Sequence, residues 1–219
     1  MEPQTGEHKM SVRYKERIIG CAILLLLPVA AAVTGYKSDG IAEQARKERE
    51  WKEAYAAYIQ RGNDAWSGHD SYSLIYVDDD EIPELYIDTR VMATGEFVAS
   101  FYDGNIGVMN RDRVGLRYME YGGLLYSQSG NMGFYPCNIY RLEKGTFSEI
   151  GTGWCSESFD GENMDMSYFW EGNPVTEKEY EAHIGELIDT SACVEPSELY
   201  TKEEVLEILE EGEVRNNLR

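Results

Sequence analysis

Between Tyr72 and Trp170 the chain is cut into short runs rich in Tyr, Phe, Ile and Val by the turn dipeptides Asp103-Gly104, Gly122-Gly123, Lys144-Gly145, Asp160-Gly161 and Glu171-Gly172. No other feature constrains the fold as much. Glycine supplies the left-handed backbone that a tight hairpin turn demands. A parallel pair needs a crossover connection of about a dozen residues or more, and these runs leave no room for one. Strands are predicted near 73–78, 84–88, 96–102, 106–109, 114–120, 123–127, 134–142, 146–154 and 164–170. They pair antiparallel, as a β-meander or a small sandwich.

Helical sequence flanks this region on both sides. Residues 41–60 read IAEQARKEREWKEAYAAYIQ, without Gly or Pro, and Trp51, Tyr55, Tyr58 and Ile59 fall on one stripe. The charged first half suits a stalk, and the second half is expected to pack on the domain. After Pro174, Thr176 with Glu179 and Thr201 with Glu204 match the capping-box spacing, so two short C-terminal helices are expected. Their buried stripes are Tyr180, Ile184, Leu187, Ile188 and Val205, Leu206, Leu209. The fold class is therefore α+β. The expected divisions are a leader at 1–35, a stalk and packing helix at 36–68, and a β-rich domain with its C-terminal helices at 69–219.

The leader carries Lys9, Arg13, Lys15 and Arg17 ahead of an uncharged run from Ile18 to Val33. Sixteen apolar residues lie between a signal-peptide core and a comfortable membrane span. Two readings follow: a cleaved signal peptide, or an anchor contacting the membrane through residues 18–36. Both leave the cations in the cytoplasm and place the remainder on the extracytoplasmic side of the cell membrane or in the secreted fraction. A net charge of −20 repels nucleic acid, which is excluded as a partner. Beyond the leader, Cys137, Cys155 and Cys193 are too few and too widely spaced for a zinc site, and an odd number leaves one thiol unpaired.

The stretch Tyr76-Val77-Asp78-Asp79-Asp80-Glu81-Ile82-Pro83-Glu84-Leu85 places acids at alternate positions with a later glutamate. Calcium loops supply oxygens in this way, which makes Asp78, Asp80 and Glu84 candidate metal ligands and weak calcium the one candidate cofactor. The stretch resembles the D-x-N-x-D-G-I-P-E-L loop of many exported bacterial proteins, itself similar to the calcium loops of integrin-type propeller repeats. With its leading helix and its Tyr- and Gly-rich hairpins, the layout resembles uncharacterised cell-envelope proteins of clostridial gut bacteria. The resemblance covers about ten residues closely and departs at two of them. Tyr76 stands where the loop begins with Asp, and Glu81 where it has Gly, and both changes weaken calcium. The structural alternative packs Leu74, Tyr76, Leu85 and Ile87 inward and points the acids at water.

Aromatic residues crowd the hairpins, and strand alternation leaves some of them outside. Tyr126, Tyr135, Trp154 and Trp170 are the candidate binding residues on an aromatic sheet face, with envelope glycan or protein as the partner. An alternative is a glycan-acting hydrolase using paired carboxylates among Glu157, Asp160 and Glu162, and a third reading is a calcium-stabilised scaffold. His69-Asp70-Ser71 contains the residue types of a catalytic triad, but neighbours in sequence do not reach triad geometry. Cys155 with His183 supplies a thiol and a base without any local signature. The reading for function is a non-catalytic extracytoplasmic binding domain, anchored or secreted.

Overall fold

The computed structural model describes residues 40–64, 66–111, 115–130, 132–159 and 164–211. The predicted leader at 1–35 and the membrane contact at 18–36 lie outside the described residues, as do Asp160 and Glu162. The chain divides into two compact units, Met1–Arg49 and Glu50–Arg219. The described part of the first is helical and exposed, with the Arg46 guanidinium on the Glu43 carboxylate at 2.6 Å. The helix, α1, runs through residues 40–61. Among the described residues no helix is long and apolar enough to cross a membrane.

The second unit contains two antiparallel meanders, each with its strands in sequence order. The first sheet comprises β1 (Ser71–Ile75), β2 (Glu84–Asp88), β3 (Glu96–Tyr102) and β4 (Asn105–Arg111). The second comprises β5 (Leu116–Met119), β6 (Leu124–Gln128), β7 (Phe134–Glu143), β8 (Thr146–Phe159), β9 (Met164–Trp170) and β10 (Asn173–Val175). Three of the five turn dipeptides act as predicted, since Asp103, Lys144 and Glu171 all take positive φ ahead of a glycine that also does. The sequence reading misses β10, because three residues with a central proline give no strand signal. Pro174 sits opposite Phe169 on the outermost strand, where a missing N–H costs no ladder bond.

Both faces of the first sheet are covered. On one side Tyr72, Leu85, Ile87, Phe97, Ala99 and Phe101 pack with Trp51, Tyr55 and Ile59 of α1. The apolar stripe of α1 is thus core of the second unit, which is why the division falls at Glu50 and not at residue 68. The Tyr55 hydroxyl accepts the Phe101 N–H at 3.0 Å and donates to the Ala99 carbonyl at 3.2 Å, continuing the ladder of β3 where β2 has ended. On the other side Ile75, Val77, Tyr86, Val98 and Met109 meet Leu116, Tyr118, Leu125 and Leu142 of the second sheet. The described part of the second unit is a sandwich of two meanders, the second option of the sequence reading.

The far face of the second sheet is closed by α2 (Glu177–Leu187), and α3 (Lys202–Glu211) joins the α1 side of the first sheet through Val205 and Leu209. Both capping boxes form. Thr176 N–H donates to Glu179 and Thr201 N–H to Glu204, each at 2.8 Å, while each threonine Oγ1 accepts the amide three residues on at 3.3 Å. Trp170 and Tyr180 lie flat enough on β8 only because Gly153 is there: a Cβ would stand 2.7 Å from the Trp170 ring and 2.8 Å from Tyr180. Between the two helices, Val194 pairs with Tyr118 on β5 and Tyr200 with Tyr72 on β1.

Candidate functional site

The acidic corner joins β1 to β2 and is built from its own side chains. Asp78 Oδ1 accepts the Asp80 N–H at 3.2 Å, and Asp80 Oδ1 accepts the Ile82 N–H at 2.9 Å. Such turns hold the loop without help from a ligand. Glu81, at the position where the resembled loop has glycine, still adopts φ 68°. The turn survives the substitution, at a cost on the order of 1 kcal/mol. Tyr76 stacks on Tyr121 with ring centroids 5.5 Å apart.

Glu84 departs most from the sequence reading of acids pointing at water. It is 1 % exposed. Its Oε2 accepts the Val77 N–H at 2.8 Å and its Oε1 the Ser100 hydroxyl at 3.2 Å. Burial pushes its carboxyl up to about 8, held back by the Val77 amide and raised further by Asp78 and Asp80. Burial also raises Asp80 to about 6 against the pull of the Ile82 amide. Asp78, Asp80 and Glu84 converge, with one oxygen from each lying within 4.8 Å of the others. Three carboxylates supply about half the oxygens that calcium takes.

A second buried glutamate went unnoticed in the sequence. Glu96 accepts the Tyr86 hydroxyl at 2.7 Å and the Leu116 and Gly115 amides at 3.0 and 3.3 Å. Burial raises its carboxyl while these three donors pull it back down. It ties β3 to the start of β5 and so fixes one sheet on the other. Its role is structural, with three donors from the fold already on its two oxygens.

The four candidate aromatics do not share a face. Tyr126 and Trp170 are buried on the α2 side, where Trp170 stacks on His183 with centroids 5.3 Å apart. These two cannot present a sheet face to a partner. Tyr135 stands on the α2 side as well, opposite Cys155, and gives its hydroxyl to Glu157 at 2.6 Å. Trp154 alone points the other way. A β-bulge between Ile139 and Tyr140 is the reason: below it Tyr140 faces Glu149, above it Ile139 faces Gly151, so Trp154 stands opposite Pro136 instead of Tyr135.

Trp154 is instead joined by residues the sequence reading left aside. It stacks on Phe169 at 5.0 Å with planes 10° apart, and Phe134 lies 6.4 Å away on its other side. Pro136 and Pro174 end the row on β7 and β10. Phe134 is 47 % exposed, and Trp154 and Phe169 are half-buried. The column occupies the face that the first sheet covers farther along, at Leu116, Tyr118 and Leu125. The signal that finds it is register, which needs the bulge.

Two open clefts accompany these features. One of about 510 Å³ includes His69, Asp70 and Ser71. Asp70 is spent on the Ser67 and Gly68 amides, and the Ser71 hydroxyl accepts from Arg90, so the three make no catalytic set. The other, about 450 Å³, lies between Asp78–Asp80 and the β7–β8 turn, with Tyr102 and Tyr121 on its walls. Burial raises the Cys155 thiol, opposite to the shift that activates a nucleophile. Cys137, Cys155 and Cys193 are all free and buried. Of the three hydrolase carboxylates only Glu157 is among the described residues. Comparison of the chain with protein families, with curated proteins and with solved structures finds no match.

Proposed function

We propose that this chain is a non-catalytic extracytoplasmic binding module, held at the membrane or released from it through its leader, that docks an envelope protein on the Phe134–Trp154–Phe169 column. One observation carries the reading: an ordered apolar row continues a buried sheet face past the point where its cover stops. Large side chains aligned in the open mark interaction surfaces more often than chance exposure does. The ring geometry supports a protein rather than a glycan as the partner. A sugar stacks on the flat face of a ring. Trp154 and Phe169 turn those faces toward each other and present edges to solvent, which suits the side chains of a protein.

The test is binding of the purified full chain to an isolated envelope fraction, before and after protease or glycan-degrading treatment. The double substitution Trp154→Ala and Phe169→Ala is expected to weaken binding about tenfold or more, with a melt that stays cooperative. Protease treatment of the envelope should abolish binding. Loss on glycan digestion alone would assign the column to a sugar, and full binding by the double variant would remove the column from the site.

A calcium-stabilised scaffold is a second reading, favoured by the convergence of Asp78, Asp80 and Glu84. In that reading the ion has to displace the proton that burial holds on Glu84, so it binds weakly and better at alkaline pH.

A further inference from the structure

Two of the outer strands are partly paired beyond their sheets. Tyr72 on β1 exchanges backbone bonds of 2.9 and 2.7 Å with Tyr200, and Tyr118 on β5 exchanges two of 2.9 Å with Val194. The β9–β10 edge is different. β10 covers only Tyr168–Trp170 of β9, because Thr176 then caps α2 and takes the chain away. Met164–Ser167 is exposed throughout, and among the described residues no strand pairs with its outer side.

The backbone groups on that edge follow from the turn. Trp170 and Asn173 flank the two-residue turn Glu171-Gly172, so they form the pair that exchanges both bonds. By alternation Tyr168, Met166 and Met164 aim their N–H and C=O groups the same way, while Ser167 and Asp165 bond toward β8. The side chains alternate too. Met164 (65 % exposed), Met166 (40 %) and Phe159 (70 %) share the α2-side face beyond the end of α2, with Phe159 opposite Met164. Asp165 stands on the other face.

We propose that the outer edge of β9 at Met164–Ser167 accepts an extended segment of a partner protein as an added strand in line with β10, and that this segment alternates apolar with basic residues. This rests on the reading of the chain as a protein-binding module and names the partner's chemistry. Main-chain bonds to Met164 and Met166 supply affinity, and the alternation supplies choice. Apolar side chains of the added strand cover the two methionines, and basic ones reach Asp165. Charge decides between occupants. A second copy would bring another net −20 and set its own acids against Asp165, whereas a basic strand is attracted.

The probe is a synthetic octapeptide of alternating valine and lysine, added to the full chain and followed by fluorescence anisotropy and amide hydrogen exchange. Binding should slow exchange at Met164 and Met166 about tenfold or more, because both amides gain a partner. A peptide N-methylated at alternate residues, or one of valine and glutamate, should bind about tenfold more weakly. Asp165→Lys, an exposed site that leaves the fold intact, should reverse the lysine-over-glutamate preference. Trp154→Ala should leave peptide binding unchanged, which separates this edge from the aromatic column. The proposal is overturned if N-methylation has no effect, since attraction to an anionic surface alone would then account for binding. It is also overturned if the two amides are protected without peptide in a sedimenting dimer, since the occupant is then a second copy.

Discussion

The two sheets share an architecture and differ in what covers them. The first is enclosed: Glu96 to Phe101 on β3 are six consecutive buried residues, with α1 on one face and the second sheet on the other. The second is enclosed on its α2 side only as far as Tyr168, its opposite face runs out from under its partner at Trp154 and Phe169, and its last edge stays open at β9. A meander that only had to fold would stop where its cover stops. Here 14 residues of β8 carry the hairpin past β7, which pairs no farther than Ser156. The difference separates a sheet that makes the domain stable from one that has surface left over for contact.

The contrast breaks first on stability. Ile87, fully buried between α1 and the first sheet, should lose about 2–5 kcal/mol on substitution by alanine, from lost transfer energy and the cavity left behind. Trp154 is half-buried, and Trp154→Ala should lose about 1 kcal/mol, mostly its stack on Phe169. Urea denaturation of both variants gives the comparison directly. A Trp154→Ala loss as large as that of Ile87→Ala would make the column core, and the proposed binding face would lose its basis.

The second break is in pH. Glu84 has a folded-state value of about 8 against 4.5 for the ordinary carboxyl, so between those values the folded chain binds more protons than the unfolded one. Stability from this group is complete below about 4.5 and is lost as pH rises through about 8, by an amount on the order of a few kcal/mol. Asp80, raised to about 6, adds a slope of the same sign at lower pH. Melts from pH 5 to 9 should therefore show declining stability, and Glu84→Gln, which keeps an acceptor for Val77 and carries no charge, should flatten the decline. A profile that rises toward pH 8 would show that Glu84 is ionised in the folded chain.

The helices and strands were legible because their signals are local. Thr176 with Glu179, Thr201 with Glu204, and the glycines at 104, 145 and 172 fix starts and turns without reference to anything distant. The faces were not legible, because one extra residue at the β7–β8 bulge moves Tyr135 and Trp154 to opposite sides. Glu84 was also hidden. It follows Pro83 in a run of acids that looks solvated in any composition count, and its burial depends on an amide seven residues away and on Ser100 of β3. Phe169 carries no signal of its own in the sequence, since a stack across neighbouring strands exists only once their register is known.

The smallest effect expected, and the one that sharpens the role of the corner, is calcium. Asp78 and Asp80 already spend an oxygen each on the loop's own amides, and Glu84 spends both of its oxygens, so an ion has to share acceptors that the fold is using. A site of this kind belongs with dissociation constants of about 1 mM. At 1 mM calcium, binding then adds about 0.4 kcal/mol, which raises the melting temperature of a domain this size by about 1 °C. The proton on Glu84 gives the effect its direction. At pH 8.5 the carboxyl is mostly ionised and calcium should register, whereas at pH 6 the ion has to displace a proton from a buried site and the shift should vanish. Equal melting in calcium and in chelator at pH 8.5 would leave the corner as a structural turn that buries one protonated glutamate.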